Sequence, residues 1–88
     1  MARPAPSPSL GTARIAFRLP ADAAVTLSVL DASGRRVRAL QQGPMSAGDH
    51  AIVWDGLDDA GAPTAAGVYY VRLETLGRSE TRPIVRVR

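Results

Sequence analysis

The sequence of 88 residues contains no cysteine. The chain therefore has no disulfide framework, and no thiolate is present to bind a metal ion or attack a substrate. Long apolar runs are missing as well, so we expect no segment inserted in a membrane. The N-terminal stretch MARPAPSPSLG lacks the apolar core of a signal peptide, and we expect any export signal to lie elsewhere in a longer parent chain.

Aromatic residues are scarce at 5%, and the net charge of +3 is mild. A domain that binds nucleic acid usually interleaves exposed aromatic side chains with its basic ones, and here Tyr70 is the one obvious candidate for that role. We therefore expect no nucleic-acid partner. Outward arginines on edge strands have a commoner role, which is to prevent edge-to-edge aggregation. The arginines that could share one face are Arg35, Arg36, Arg38, Arg82, Arg86 and Arg88.

What the chain does have is a period of two in its apolar residues, which is typical of half-buried β-strands. The alternation starts at Thr12, after a proline-rich stretch that we interpret as an extended linker over residues 1–11. No window sustains a helical period. About six or seven short strands with turn-rich connections predict an all-β fold, an antiparallel β-sandwich over residues 12–88.

The inward residues of these strands are predicted to fill one core between two sheets. The third strand is expected to end at Leu40, before a loop with the sequence QQGPMSAG. In the final strand Pro83 cannot donate a hydrogen bond, so we expect an edge strand or one that pairs regularly only after Pro83, with Arg86 and Arg88 facing outward. The predicted core residues are Ile15, Phe17, Leu19, Val25, Leu27, Val29, Val37, Ile52, Trp54, Tyr69, Val71, Leu73, Val85 and Val87.

Residues 54–70, WDGLDDAGAPTAAGVYY, place three aspartates and three glycines between a tryptophan and two tyrosines. A calcium loop of the EF-hand type fails here, because the third, sixth and twelfth positions counted from Asp55 are Leu57, Ala60 and Ala66. Other β-sandwiches bind calcium through looser acidic loops, which keeps a metal site as the alternative interpretation. Acid–base catalysis needs a pocket that separates two pKa values, and exposed neighbours in a glycine-rich loop lack one.

We predict that this stretch is a structural corner with no metal, no cofactor and no catalytic residue. Asp55 directly follows a strand and can accept hydrogen bonds from loop amides in an Asx turn. His50, the only histidine, shares a strand face with Trp54 and is expected to be partly buried and hydrogen-bonded. The residues assigned to the corner are Trp54, Asp55, Gly56, Asp58, Asp59, Gly61, Gly67 and Tyr69.

Together these motifs resemble one known family. The segments ARIAFRLP, VTLSVLDASGRRVRAL, SAGDHAIVWDGLDDAGAPTAAGVYYVRL and TRPIVRVR look like the immunoglobulin-like domain of the flagellar hook-capping protein. They are also similar to the C-terminal sorting domains of the type IX secretion pathway. The likeness covers nearly the whole chain, from Pro4 to Arg88. It implies an immunoglobulin-like antiparallel β-sandwich in a secreted or cell-surface bacterial protein.

The function that the resemblance implies is a non-catalytic sorting or anchoring module, read by an outer-membrane secretion machinery. The alternative is a structural subunit that joins neighbouring copies of itself through strand edges, forming a cap or an extracellular filament. An enzyme or a small-ligand domain would need a convergent polar site, and none is visible in the sequence. The candidate interaction edge is the final strand, with residues Ile84, Val85, Arg86, Val87 and Arg88.

Overall fold

The structure of this chain is a computed structural model that describes residues 1–5 and 11–87. Six antiparallel β-strands form the regular structure of these residues. Across these residues, no helix has the length and hydropathy that a membrane span requires. The prediction of an all-β, immunoglobulin-like antiparallel sandwich is confirmed. The strands are β1 Ala13–Leu19, β2 Ala23–Asp31, β3 Arg36–Met45, β4 Gly48–Trp54, β5 Gly67–Thr75 and β6 Arg78–Arg86.

The strands divide into two sheets. β1 and β4 pair antiparallel over seven residues in one continuous register, from Ala13 opposite Trp54 to Leu19 opposite Gly48. The second sheet has the order β3-β2-β5-β6, so β3 and β6 are its two edges. The consecutive strands β3 and β4 lie in different sheets, which brings the two apolar faces together around one core.

Part of the segment predicted as a linker lies along β1. Ala5 and Arg14 exchange two backbone hydrogen bonds of 3.1 and 2.7 Å, and the Ala2 N–H donates to the Ala16 carbonyl at 2.9 Å. Pro4 is buried. The rest of that segment, residues 6–10, falls outside the described residues, so the extent of the linker stays a prediction.

The core lies between the two sheets and is filled mainly by alternating residues of β1, β2 and β5. Burying a large apolar side chain stabilises the fold by about 1.5–3 kcal/mol, so this set dominates stability. Val37 and Ile52 are half-buried against the core. Leu30, on the other face of β2, is buried too, because β2 is an internal strand between β3 and β5. The core residues are Ala13, Ile15, Phe17, Leu19, Val25, Leu27, Val29, Trp54, Tyr69, Val71, Leu73 and Ile84.

The last residues of β3 and the pairing of β6 can be compared with their predictions. β3 continues past Leu40 to Met45, with Pro44 opposite Ala24, because β3 is an edge strand where a missing N–H is tolerated. For β6 the first of the two expectations is confirmed, because it is an edge strand, and it pairs with β5 along its whole length from Arg78 to Arg86. The strand begins at Arg78 because Leu76 and Gly77, with φ values of 52° and 70°, close a two-residue hairpin before it.

Side-chain directions in β6 are the reverse of those predicted. Ile84 is fully buried, whereas Val85 and Val87 are 38% and 37% exposed. Because Arg86 lies two residues after Ile84, its side chain also turns toward the core side. The assignments of Val85 and Val87 to the core and of Arg86 to the outside were therefore wrong, and Arg88 lies beyond the described residues.

Candidate functional site

The acidic corner connects β4 to β5 and is held by its own carboxylates. Asp55 accepts a hydrogen bond from the Leu57 N–H at 3.0 Å, which is the Asx turn expected from the sequence. Asp58 accepts from the N–H groups of Ala60 and Ala62, both at 2.9 Å. These carboxylates therefore satisfy loop amides that have no partner in a strand ladder.

Asp59 joins the corner to β3 at the edge of the larger sheet. Its N–H donates to the Val37 carbonyl at 2.8 Å, and its Oδ1 accepts from the Ala39 N–H at 2.9 Å. Its Oδ2 lies 3.4 Å from Nη2 of Arg36. The corner thus covers part of the open edge of β3, which is one way that proteins block unwanted strand pairing.

Arg38 reaches the corner from the core side of β3. Its Nη1 lies 3.3 and 3.2 Å from the carbonyl oxygens of Leu57 and Asp58, and 3.4 Å from Oδ1 of Asp55. The side chain is about one quarter exposed, at 28%. One nitrogen of the guanidinium therefore contacts two loop carbonyls and a carboxylate, which holds the corner against β3.

Among the arginines considered for a basic face, those on β3 and β6 lie at two opposite edges of the larger sheet. Arg36 and Arg38 lie on β3, at one edge of the larger sheet, and both contact the corner. Arg82 and Arg86 lie on β6, at the opposite edge. Within the described residues these groups do not form one continuous surface for a polyanion.

Trp54 and Tyr69 anchor the corner in the core. Their rings meet edge to face, with centroids 5.6 Å apart and an interplanar angle of 63°. The Trp54 Nε1–H donates to the Leu57 carbonyl at 2.9 Å, and the Tyr69 hydroxyl donates to the Ala65 carbonyl at 2.8 Å. Both rings are buried, so neither presents a face on which a base or a sugar could stack.

Arg86 is the corner residue that sequence reasoning missed. Its Cζ lies 5.0 Å from the centroid of the Trp54 ring, and its Nη1 donates to the Gly11 carbonyl at 2.8 Å. A Cβ atom on Gly56 would lie only 2.5 Å from Nη1 of Arg86, so glycine at position 56 leaves the space that the guanidinium fills. The glycine after Trp54 and Asp55 was the available signal, but the pattern does not link it to the last strand.

The remaining glycines of the corner have open surroundings. Gly61 and Gly67 have φ values of 82° and 149°, and no atom lies within 4 Å of the position that a Cβ would take. The Gly56 carbonyl accepts hydrogen bonds from both the N–H and the hydroxyl of Thr64, at 3.0 and 2.7 Å. Only at Gly56, therefore, do backbone conformation and close packing both favour glycine.

The three aspartates of the corner do not converge on a common point. Asp55 faces Arg38, Asp58 faces its own loop, and Asp59 faces β3. Nowhere in residues 1–5 and 11–87 do three or more histidine, cysteine, aspartate or glutamate side chains come together so that they could hold a metal ion. Acid–base or metal chemistry requires groups directed at one reacting atom, and this geometry supplies turn formation instead.

Two other titratable groups have local structural partners. The Nε2–H of half-buried His50 donates to the Ser46 carbonyl at 2.6 Å, and its ring stacks on Phe17 at 5.5 Å, which confirms the partly buried, hydrogen-bonded histidine. In the β2–β3 hairpin, Asp31 accepts from the Ser33 hydroxyl at 2.6 Å and from the Arg35 N–H at 3.0 Å. These bonds, with the Ser33 hydroxyl first, hold the pKa of Asp31 below its ordinary value.

In the candidate interaction edge at residues 84–88, some side chains point toward the core and others toward solvent. Ile84 and Arg86 contact the core and the corner, whereas Val85 and Val87 are exposed. Arg88 is outside the described residues. β6 is an edge strand of the larger sheet, and its use as an interaction edge stays a proposal.

The sequence profile of the FlgD Ig-like domain matches residues 5–79, which is most of the chain. This chain belongs to that family. The resemblance to the hook-capping protein predicted from the sequence is thereby confirmed. The match ends just inside β6, so Ile84 and Arg86 lie outside the part of the chain that the family profile covers.

Solved structures from the same family have the same fold. FlgD from P. aeruginosa is 26% identical, with a TM-score of 0.67 over 82% of this chain and 61% of that one. FlgD from Xanthomonas campestris is 28% identical, with a TM-score of 0.64 over 85% of this chain and 57% of that one. This chain therefore spans about three fifths of the length of these FlgD structures.

Part of a third solved structure has the same fold as well. Dimeric latent PorU from Porphyromonas gingivalis matches 96% of this chain with a TM-score of 0.73, but the match covers only 9% of PorU and has 21% identity. Among curated proteins, none matches this chain significantly. The likeness to PorU therefore concerns the fold alone.

Proposed function

We propose that this chain is a non-catalytic protein-interaction module of an exported bacterial protein, and that it works in the assembly of an extracellular structure. The observation that carries the proposal is that polar groups of the corner already have hydrogen-bond partners inside the domain. Its carboxylates, its arginine and its aromatic N–H and O–H groups are bonded within the domain. What remains for contact with other molecules is the strand edges and the outer faces of the sheets.

Family membership supports the assembly role. The structure of FlgD from Xanthomonas campestris is described in terms of hook capping that is essential for flagellar assembly, and that protein shares 28% of its aligned residues with this chain. A cap is built from protein–protein contacts. A small domain with exposed strand edges suits that task.

A sorting or anchoring role is the second candidate, and the exposure of the final strand favours it. Val85 and Val87 present apolar surface beside the edge of the larger sheet. An outer-membrane secretion machinery that recognises an extended strand could bind there by adding a strand to β6. In this role the domain would direct a secreted protein to the cell surface.

A domain exchange tests the assembly role. The matching domain of Xanthomonas campestris FlgD is replaced by residues 1–88, and hook formation is scored by electron microscopy in a strain that lacks its own copy. We expect hooks with the chimera and none when the domain is deleted outright. An exported, folded chimera that leaves the strain without hooks contradicts the assembly role.

A reporter fusion tests the sorting role. Residues 1–88 are fused to a reporter with a signal peptide in a host with type IX secretion, and the surface and periplasmic fractions are compared. Deleting residues 84–88 is a poor control, because it removes buried Ile84 and the Arg86–Trp54 contact. Val85→Glu is better, since that side chain is exposed. Retention of the intact fusion in the periplasm rejects sorting.

A further inference from the structure

The edges of the two sheets differ in how well they are protected against pairing with another chain. Proteins protect edges with charged residues that point inward, with proline, with bulges and with covering loops. β6 has Pro83 in its middle and turns Arg82 and Arg86 toward the core side. β3 has two register shifts against β2, and Asp59 covers its edge.

β4 has none of these protections between His50 and Val53. Its register with β1 is continuous, and the segment HAIV has neither a formal charge at neutral pH nor a proline. Among the described residues, β4 pairs only with β1, so no strand lies along its other side. Ala51 is exposed on the outer face, and so is Val53, at 57%. A straight, uncharged and uncovered edge is the kind that accepts another strand.

We propose that the open edge of β4 pairs with β4 of a second copy of this chain, in antiparallel orientation. The proposal deepens the assembly role above and rests on it. The expected register places Ala51 opposite Ala51 of the second copy, around a twofold axis. Two sheets of two strands then become one sheet with the order β1-β4-β4-β1.

The charge pattern of the outer face is what selects a second copy as the partner. Residues that pair directly in an antiparallel ladder point to the same face, so the register at Ala51 places Asp49 opposite Val53 of the other copy. Each Asp49 keeps its own ion pair with Arg18, at 3.2 Å. Across the new sheet one row is then Arg14, Val53, Asp49 and Arg18, with no two like charges adjacent.

The central row of that sheet also fits. Ala16 lies opposite Ala51 within each copy, so four alanines would stand side by side on the outer face. Small side chains allow two copies to approach without steric conflict. The paired strip covers few residues compared with a stable interface of about 800 Å² on each partner, so the association is expected to be weak in an isolated domain and stronger where copies are held close together.

Sedimentation velocity of the 88-residue chain tests the pairing. We expect the average mass to rise toward that of a dimer as concentration increases. Ala51→Lys sets two positive charges opposite each other at the twofold axis, and should raise the dissociation constant on the order of tenfold or more. Thr81→Lys is the matched control, because it adds the same charge to the exposed outer face of β6, and it should leave the dissociation constant unchanged.

A charge-reversal pair shows whether the register is correct. Ala51→Glu alone should self-associate as weakly as Ala51→Lys. An equimolar mixture of the two variants should associate at least as well as the original chain. Circular dichroism establishes that each variant is folded. A chain that stays monomeric at millimolar concentration overturns the proposal. Association that Thr81→Lys abolishes and Ala51→Lys spares also overturns it, and assigns the interface to β6. Either result leaves the domain-exchange experiment as a separate test of the assembly role.

Discussion

The guanidinium of Arg86 lies over the indole ring of Trp54, with Cζ 5.0 Å from the ring centroid. The same group donates to the Gly11 carbonyl and fills the space beside Gly56. Three separate parts of the chain therefore meet at one side chain: the end of β6, the acidic corner and the entry to β1. This contact explains why the end of the last strand is part of the folded domain rather than an appended tail.

Gly56→Ala is expected to destabilise the domain by roughly 2–3 kcal/mol. An L-residue at the φ of 81° costs about 1–2 kcal/mol, and the new Cβ must also displace Arg86 from Trp54, a cation–π contact worth on the order of 0.5–2 kcal/mol. Gly61→Ala has nearly the same φ, 82°, but open surroundings, so only the backbone cost should appear. Urea unfolding of both variants measures the difference.

The Arg86→Ala background isolates the packing part of that cost. Without the guanidinium, Gly56→Ala should cost about as much as Gly61→Ala, because only the backbone conformation remains unfavourable. If Gly56→Ala costs the same with and without Arg86, the close packing of these two residues contributes nothing and the contact has been misjudged.

Trp54→Ala should cost about 3–5 kcal/mol, since it removes a fully buried ring together with its partners Tyr69 and Arg86. That is a large share of the stability of a small domain. Val53→Ala is the control on the neighbouring residue, which is 57% exposed, and should cost less than about 1 kcal/mol. Similar midpoints for the two variants in thermal unfolding are incompatible with Trp54 at the centre of the core.

Asp31 should titrate below its ordinary value of 3.8. Its hydrogen bonds with Ser33 and Arg35 favour the charged carboxylate in the folded state. The stability that they supply is therefore present above the unfolded pKa and is lost as pH falls through the folded pKa. NMR titration of the carboxyl group measures the shift. Ser33→Ala should bring the midpoint closer to the ordinary value, and an unchanged midpoint would show that the hydroxyl is not the main cause.

Calcium should leave the melting temperature unchanged. A site occupied at a hundred times its dissociation constant would stabilise the fold by about 2.7 kcal/mol, a shift on the order of ten degrees in a domain of this size. Melting curves at millimolar calcium and in the presence of a chelator provide the comparison. A shift of that size, removed by Asp58→Ala, would instead place a cation in the corner.

The alternation of apolar and polar residues predicted which side chains point inward wherever the two faces of a strand differ chemically. In β1, Ile15 and Phe17 alternate with Arg14 and Arg18, so the inward face was readable without coordinates. β6 has no such contrast, because Ile84 and Val85 are adjacent and Arg86 follows. Arginine has an apolar stem and a planar cation that packs on an indole ring, so treating it as an outward residue reversed the whole strand.

Contacts between residues close in the sequence could be predicted, whereas contacts between distant residues could not. The hydrogen bonds that Asp55 and Asp58 accept from loop N–H groups connect residues two to four positions apart, and the turn preference of aspartate was enough to anticipate the first of them. Asp59 bonds to Ala39 on β3, and no local rule identifies so distant a partner. The extension of β3 to Met45 was also missed, since Gly43 and Pro44 are typical of loops and their pairing depends on an edge position.

The central claim is that the corner builds the fold while a strand edge makes the contacts, and hook formation by the FlgD chimera tests it most directly. Asparagine keeps an oxygen that can accept the loop hydrogen bonds but removes the charge needed for a metal or an acid. We predict that a chimera with Asp55→Asn, Asp58→Asn and Asp59→Asn, once shown to be folded, still forms hooks, whereas a folded chimera with Ala51→Lys does not. Loss of hooks in the asparagine variant, with hooks retained in Ala51→Lys, would contradict the account and make the corner the functional site.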